Sequence, residues 1–312
     1  MKALTLTGYD GLASLAFADV PTPEPGPNDV LVEVRAASVN PVDGKISQGY
    51  LRSRLDFALP HVLGRDCAGV VAKIGSAVKN FAPGDAVFGV ADQARFGTQA
   101  QYVALPAATA ARKPKGLSDV EAGSLPVAGL SAYAGLVTVG GLKRGQRVLI
   151  HAGAGGVGAF AVQLAKHIGA EVTATAGPAN VDFVRALGAD RVIDYTTRDF
   201  AEDVQDQDMV FDLIGGDVRY RSFRVLKGGG SIVHISVPPM TQAPPRSDVA
   251  VKPAPVKYDT ALLDEISALV EAKAVKPCVG AVFAFADARK AYEHVMTGHA
   301  RGRVMLDLRN AA

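Results

Sequence analysis

The sequence predicts an α/β protein of two domains, a mostly β domain of the small-barrel kind and a doubly wound parallel sheet. Three observations carry that prediction. The first is size: 312 residues, 48% hydrophobic and 21% charged, exceed what a single hydrophobic core usually holds. The second is a change of texture along the chain. From residue 1 to about 118, short alternating or β-branched runs such as KALTLTGY, DVLVEVRAASV, AGVVAKIG and DAVFGV sit between turns rich in proline, glycine and aspartate. From about 119 to 237 buried runs alternate with helical ones (RVLIHAG, VGAFAVQLAKHIG, EVTATAG, VDFVRALG, RVIDY, MVFDLIGG, SIVHISV), which is how a parallel sheet covered on both faces reads. The third is a glycine-rich turn at the first strand-to-helix corner of that segment.

The remaining residues, 256–312, return to a helix, strand, helix, strand order whose last strand, RVMLDL, resumes the β character of the first domain. The predicted division is therefore 1–118 with 256–312, and 119–255. The connector VPPMTQAPPRSDVAVKPAPV carries too many prolines for a continuous helix or a central strand.

Composition narrows the function. A net charge of +2, with no long Lys/Arg cluster, argues against a nucleic-acid footprint and for a small-molecule partner. The two cysteines, Cys67 and Cys278, lack the spacing of a structural zinc or a redox pair, so a reducing compartment is expected. With no secretory-type start and no apolar run long enough for a membrane span, a soluble cytoplasmic protein is expected.

In IHAGAGGVGAF, the glycines Gly153, Gly155 and Gly158 match G-x-G-x-x-G between a predicted strand and a predicted helix. Glycines there let the backbone approach a pyrophosphate, and free N–H groups at the helix start face its charge. Gly153, Ala154, Gly155, Gly156, Val157 and Gly158 thus form a predicted dinucleotide cradle. An NAD site usually places an acidic residue ~20 residues further on, at the end of the next strand. Here that place holds Ala176, Gly177, Pro178, Ala179 and Asn180. With no carboxylate to repel a 2′-phosphate, NADPH is favoured, and Gly177, Asn180 and the Tyr195 hydroxyl are its neutral candidate partners.

The stretches SVNPVDGKISQGY, PHVLGRDCAGVVAKIG, FAPGDAVFG, LPVAGLSAYAGL, VLIHAGAGGVGAFAVQLAKHIGA and HARGRVMLDL together resemble the zinc-independent quinone oxidoreductase branch of the medium-chain dehydrogenase/reductase superfamily. The nearest members are NADPH-dependent alkenal or enone reductases and quinone oxidoreductase-like proteins. The resemblance runs in order through almost the whole chain. It implies a GroES-like barrel domain joined to a Rossmann domain, an active site in the cleft between them, and a quinone or enone as the small-molecule substrate. Zinc alcohol dehydrogenases carry a G-H-E-x-x-G element whose histidine ligates metal; this chain has Gly64, Arg65, Asp66, Cys67, Ala68 and Gly69 there. Without that Lewis acid, a conjugated acceptor remains reducible because it spreads the incoming charge through its own π system.

By the same resemblance Asn40 stands beside nicotinamide and substrate, its amide placed for a carbonyl, with a turn residue before Pro41 as the alternative. Lys45 stands where some quinone oxidoreductases have tyrosine, and N-P-V-D-x-K is typical of the enone-reductase-like members; its ammonium would polarise a carbonyl, or is simply solvated. Asp43 holds either Lys45 or the local turn, and Tyr50 lines the pocket or packs at its rim. Ser131 is placed near the cofactor, Ile214, Gly215 and Ser236 at strand ends facing it, Phe283 over the nicotinamide or in the core, and Arg301 near the cofactor or exposed. The six histidines have no metal-ligand spacing. A homodimer is expected through an exposed edge strand at SIVHISV. Two functions follow: an NADPH-dependent reductase, or an NADPH-binding protein with little turnover that serves as a sensor or structural component.

Overall fold

The computed structural model describes residues 1–55, 57–92, 95–235, 238 and 240–311; Ser236, one of the expected cofactor contacts, lies outside the described residues. The chain divides into two units, one formed by Met1–Val127, Tyr258–Glu271 and Pro277–Ala312, the other by Ala128–Lys257 and Ala272–Lys276.

The first unit opens with β1 (Lys2–Leu6), β2 (Leu15–Asp19), β3 (Asp29–Val39), α1 (Pro41–Ser47), β4 (His61–Val62), β5 (Asp66–Ile74), β6 (Ala86–Val90), β7 (Tyr102–Pro106), β8 (Ala110–Arg112) and α2 (Asp119–Gly123). At Pro126, whose ring removes a helical N–H, the chain starts again as α3 (Pro126–Tyr133) and then widens into a π-helical turn. The second unit continues with β9 (Arg147–Ile150), α4 (Gly156–Ile168), β10 (Glu171–Ala176), α5 (Val181–Ala186), β11 (Arg191–Asp194), α6 (Phe200–Asp203), β12 (Gln207–Asp212), α7 (Gly216–Ser222), β13 (Leu226–His234) and β14 (Ala250–Pro253). The chain then returns to the first unit through α8 (Thr260–Glu271), β15 (Val279–Ala284), α9 (Ala288–Met296) and β16 (Arg303–Asp307).

In the first unit a seven-stranded sheet runs β15-β16-β3-β5-β6-β8, with β7 also on β3, and a three-stranded sheet runs β2-β1-β4. The spine is β3, where Val30, Val32, Val34 and Val39 are all buried, as β-branched side chains favour on a packed pleated surface. Its boundary falls later than the sequence suggested because α2 packs directly on the barrel. A Cβ at Gly123 would stand only 3.1 Å from the Ala68 amide nitrogen and 3.2 Å from the Ala36 carbonyl oxygen.

The second unit is a six-stranded sheet in the order β11-β10-β9-β12-β13-β14 with every pairing parallel. Leu149, Ile193, Val210, Phe223 and Ile232 form part of its core. Residues 272–276 join it because Gln163 of α4 exchanges two hydrogen bonds with the Lys276 backbone, each 3.1 Å. The edge strand expected at SIVHISV is not an edge. Residues Ser231 to His234 of β13 pair in parallel with Ala250 to Pro253 of β14, which removes the reason for expecting a dimer through that strand. Pro253 is tolerated because β14 is itself the margin of the sheet.

Candidate cofactor and active site

The strand order reverses between β9 and β12: from β9 the chain moves outward through β10 and β11, then starts again beside β9 with β12. In open parallel sheets the carboxyl ends of the two strands at such a reversal hold the ligand. At β9 the backbone passes through His151 and Ala152, the latter at φ 52°, into the glycines. A Cβ at Gly158 would stand 2.1 Å from the Ala152 carbonyl oxygen, and one at Gly153 2.9 Å from the Ala174 Cβ. Helix α4 therefore closes on the turn only because those side chains are missing. Gly155 differs: a Cβ there would stand 3.5 Å from the Ala152 carbonyl oxygen, an ordinary contact that strains nothing. The first helical bond of α4 runs from the Ala159 amide to the Gly155 carbonyl, 2.8 Å, leaving the amino-terminal amides of Gly156, Val157 and Gly158 for an anion. Ala154 is nearly buried within the turn. These residues fit a pyrophosphate.

Beyond β10, the Asn180 amide donates to the Gly177 carbonyl at 2.9 Å, and the Tyr195 hydroxyl would be 3.2 Å from a Cβ at Gly177. All three sequence-predicted residues thus share one corner. The nearby Asp194 turns its carboxylate back on its own loop, accepting from the Thr196 amide at 3.0 Å and hydroxyl at 2.8 Å. Asp182 is engaged by Arg185 at 2.6 Å on the exposed face of α5.

At the end of β12, Asp212 is completely buried. One carboxylate oxygen accepts from the Ile214 and Gly215 amides at 2.9 and 2.8 Å, and the other from Arg219 Nε at 2.7 Å. Behind them lies His151. The Ser222 hydroxyl donates to the Val218 carbonyl at 2.7 Å, so the imidazole proton sits on Nε2 and reaches Ser222 Oγ at 3.0 Å, while Nδ1 accepts from Thr175 Oγ1 at 3.2 Å. Burial and the Arg221 guanidinium push the His151 pKa down to about 4, against the pull of Asp212, so the ring is neutral. Ser131 is buried within α3.

In the first unit the polar centre is a buried network. Arg303 donates to Asn40 Oδ1 at 2.7 Å and to both Asp66 oxygens at 3.0 and 2.8 Å. Asn40 Nδ2 donates to Ser38 Oγ at 2.9 Å and to Asp66 Oδ1 at 3.0 Å; Ser38 also donates to Asp66, whose other oxygen takes the Val127 amide at 3.1 Å. The Asn40 side chain is thus fully engaged within the unit, at 3% exposure, which differs from the expectation that it offers its amide to a substrate carbonyl. Lys45 and Tyr50, by contrast, are exposed, the latter at 73%. Asp43 does not hold Lys45; it accepts the Asn40 backbone N–H at 2.8 Å as a local cap. Phe283 is half-buried against the barrel core, 6.1 Å from the His294 ring, and Arg301 lies on an exposed loop. Sequence reasoning missed Ser38, Asp66 and Arg303. The signal was an arginine at the head of a strand whose next three residues are apolar, two residues beyond the one singled out.

Residues 26–115 match the alcohol dehydrogenase GroES-like domain, and residues 187–306 match the zinc-binding dehydrogenase domain. The NADPH-dependent alkenal/one oxidoreductase of Arabidopsis thaliana is 36% identical over 98% of this chain and 79% of its own. The structure of the quinone oxidoreductase from Coxiella burnetii superposes with a TM-score of 0.93 at 36% identity, covering 99% of both chains. A solved NAD-dependent alcohol dehydrogenase is similar at 31% identity and a TM-score of 0.91, over 98% of this chain and 99% of that one.

This chain belongs to the medium-chain dehydrogenase/reductase superfamily. Its place there is with the quinone oxidoreductase and alkenal reductase branch, and it is an oxidoreductase with a GroES-like unit and a Rossmann unit. Gly64 to Gly69 is the stretch compared above with the metal-ligating element of zinc alcohol dehydrogenases. Cys67 is fully buried in β5, where burial first and the Asp66 charge second push its thiol far up, away from the thiolate a metal needs. Arg65 directs its guanidinium between the Phe96 and Tyr258 rings, 5.8 and 5.4 Å from their centroids. Among the described residues no three His, Cys, Asp or Glu side chains are grouped to hold a metal, and no helix is long and apolar enough to cross a membrane.

The two units carry buried groups that respond to pH with opposite sign. Burial raises the Asp43 pKa from 3.8 to about 7, so the unfolded chain ionises first and this contribution is lost as pH rises through that window. His151, lowered from 6.5 to about 4, behaves in reverse: the unfolded chain protonates first, and stability is lost as pH falls from 6.5 towards 4. Hydrogen exchange, corrected for intrinsic rates, should show the GroES-like unit weakening between pH 4 and 7 while the Rossmann unit strengthens. In Asp43→Asn the first trend should vanish, a change of about 3–4 kcal/mol across the window, with the second intact.

Proposed function

We propose that this protein is an NADPH-dependent reductase that delivers hydride to quinones or to the activated C=C of α,β-unsaturated carbonyls, without zinc. The observation that carries the cofactor choice is the corner formed by Gly177, Asn180 and Tyr195, where the nearby Asp194 turns its carboxylate back on its own loop instead of towards a ribose. The glycine turn and the amino end of α4 hold the pyrophosphate, and Ile214 and Gly215 lie towards the nicotinamide. When bound, the cofactor supplies the hydride.

The chain's own part is positioning and electrostatics. Adding hydride to a conjugated acceptor leaves an enolate or hydroquinone anion. The exposed Lys45 ammonium stabilises that developing charge at the carbonyl oxygen, and Tyr50 packs beside the substrate. Asn40 serves the scaffold: it joins Arg303 and Asp66 and caps the start of α1, the helix that carries Lys45. The similarity to the alkenal/one oxidoreductase and to the quinone oxidoreductase supports this substrate class.

Following NADPH absorbance with a panel of quinones and short enones tests the reading. Turnover is expected with at least part of the panel, with kcat/KM for NADPH exceeding that for NADH about tenfold or more, some 1.4 kcal/mol. Activity should survive exhaustive treatment with a chelator. Tight NADPH binding with no turnover across the panel would instead establish a binding protein, and equal use of NADH would overturn the cofactor assignment.

A further inference from the structure

We propose that Asp212 and Arg219 are a positioning pair that fixes the Ile214–Gly215 turn as the apolar floor beneath the nicotinamide end of the cofactor. The proposal rests on the nucleotide-binding reading above and adds the residues that shape one end of that site.

The turn leaves β12, the strand paired directly with β9, so it emerges beside the glycine turn at the reversal of strand order. Its backbone is demanding: Gly215 at φ 81° and Gly216 at φ 57° are two successive residues in the left-handed region. Such a turn stays in one shape only if something outside its own backbone holds it. Asp212 does so by accepting both the Ile214 and Gly215 amides on a single carboxylate oxygen. With the turn locked, Ile214 presents its side chain outward, 48% exposed, a large apolar face at the edge where a ligand is expected.

Holding Asp212 charged in an interior with no exposure has its own requirement. Arg219 meets it through Nε at 2.7 Å, reaching back from α7, the helix that begins at the turn itself. Strand end, turn, helix and strand end therefore close into one ring of contacts. Ser222, on the same helix, bonds His151 immediately before the glycine turn, so α7 braces both corners of the site. Arg219 is only 1% exposed, yet its Nη2 has no partner. A buried guanidinium with an idle donor is a poor source of stability. What it contributes is the shape of the Asp212 turn.

The test separates the two ends of the cofactor. Affinities for NADP⁺ and for adenosine 2′,5′-bisphosphate, which lacks the nicotinamide half, are measured by titration. Amide exchange at Ile214 and Gly215 is followed in protein without nucleotide. In Arg219→Met, NADP⁺ affinity should fall about tenfold while the bisphosphate stays within about twofold of wild type, and the two amides should exchange faster. Arg219→Lys should recover most of both readouts. Ile214→Ala, an exposed substitution that leaves the clamp untouched, should weaken NADP⁺ selectively with the amides still protected.

Equal loss of both ligands in Arg219→Met, or unchanged NADP⁺ affinity in Ile214→Ala, would overturn the positioning role. Should wild-type protein bind neither ligand, the nucleotide reading itself falls. Binding of both by wild type, without selective loss in the variants, would remove only the clamp proposal.

Discussion

Gly158→Ala is expected to abolish measurable nicotinamide-nucleotide binding, a loss of about 100-fold or more, or ~2.7 kcal/mol. The added methyl would stand 2.1 Å from the Ala152 carbonyl oxygen and 2.9 Å from the Gly153 α-carbon, both backbone atoms that cannot swing aside. Relief requires α4 to lift away from β9, and the amides at its amino end leave the place where the pyrophosphate sits. Overpacking of this kind costs about 1–3 kcal/mol of stability as well, so the unfolding midpoint should drop by several degrees. Gly155→Ala is the informative companion. Its methyl meets nothing closer than 3.5 Å in the free protein, so the fold should be unaffected while the ligand's approach is blocked. Fluorescence titration with NADPH, beside thermal unfolding of both variants, checks the pair. Wild-type affinity in Gly158→Ala would mean that the turn is only a strand-to-helix corner.

Arg303→Leu should be the most destabilising single change in the GroES-like unit, at about 3–5 kcal/mol. Arg303 is 6% exposed and is the sole cation bonded to Asp66 among the described residues, while it also satisfies Asn40 Oδ1. Its removal leaves a fully buried carboxylate with only neutral donors. Arg301→Leu, two residues earlier on an exposed loop, should stay within about 0.5 kcal/mol. Urea unfolding of both variants makes the comparison. Near-equal effects would show that the network carries little of the unit's stability.

That pair of arginines also shows how far the residues could be read without coordinates. HARGRV drew attention to Arg301, yet the side chain at the centre of the network is Arg303. Nothing local distinguishes them, because the difference is made by Asn40 and Asp66, far away in sequence. Asn40 was read as offering its amide to a substrate carbonyl, whereas in the fold that amide is occupied by Ser38, Asp66 and Arg303. Lys45 and Tyr50 were each left open between site and surface, and both are exposed. The strand at 231–237 was read as an edge because β14, only four residues long and lying amid prolines, carries almost no local strand signal. Asp212 lay within a quoted run, MVFDLIGG, but its meaning required Arg219 to return along α7.

Sequence alone determined what repeats along the chain or sits within one turn of it: the alternation that makes a parallel sheet, the glycines at 153, 155 and 158, and the missing acidic residue after β10. These are local because backbone sterics and helix-end amides act over a few residues. Only the tertiary structure decided which buried polar groups meet. Asp66 with Arg303, Asp212 with Arg219 and His151 with Ser222 are buried pairs brought together by sheet order, and a charge or proton withdrawn from water takes its properties from whatever the fold sets beside it.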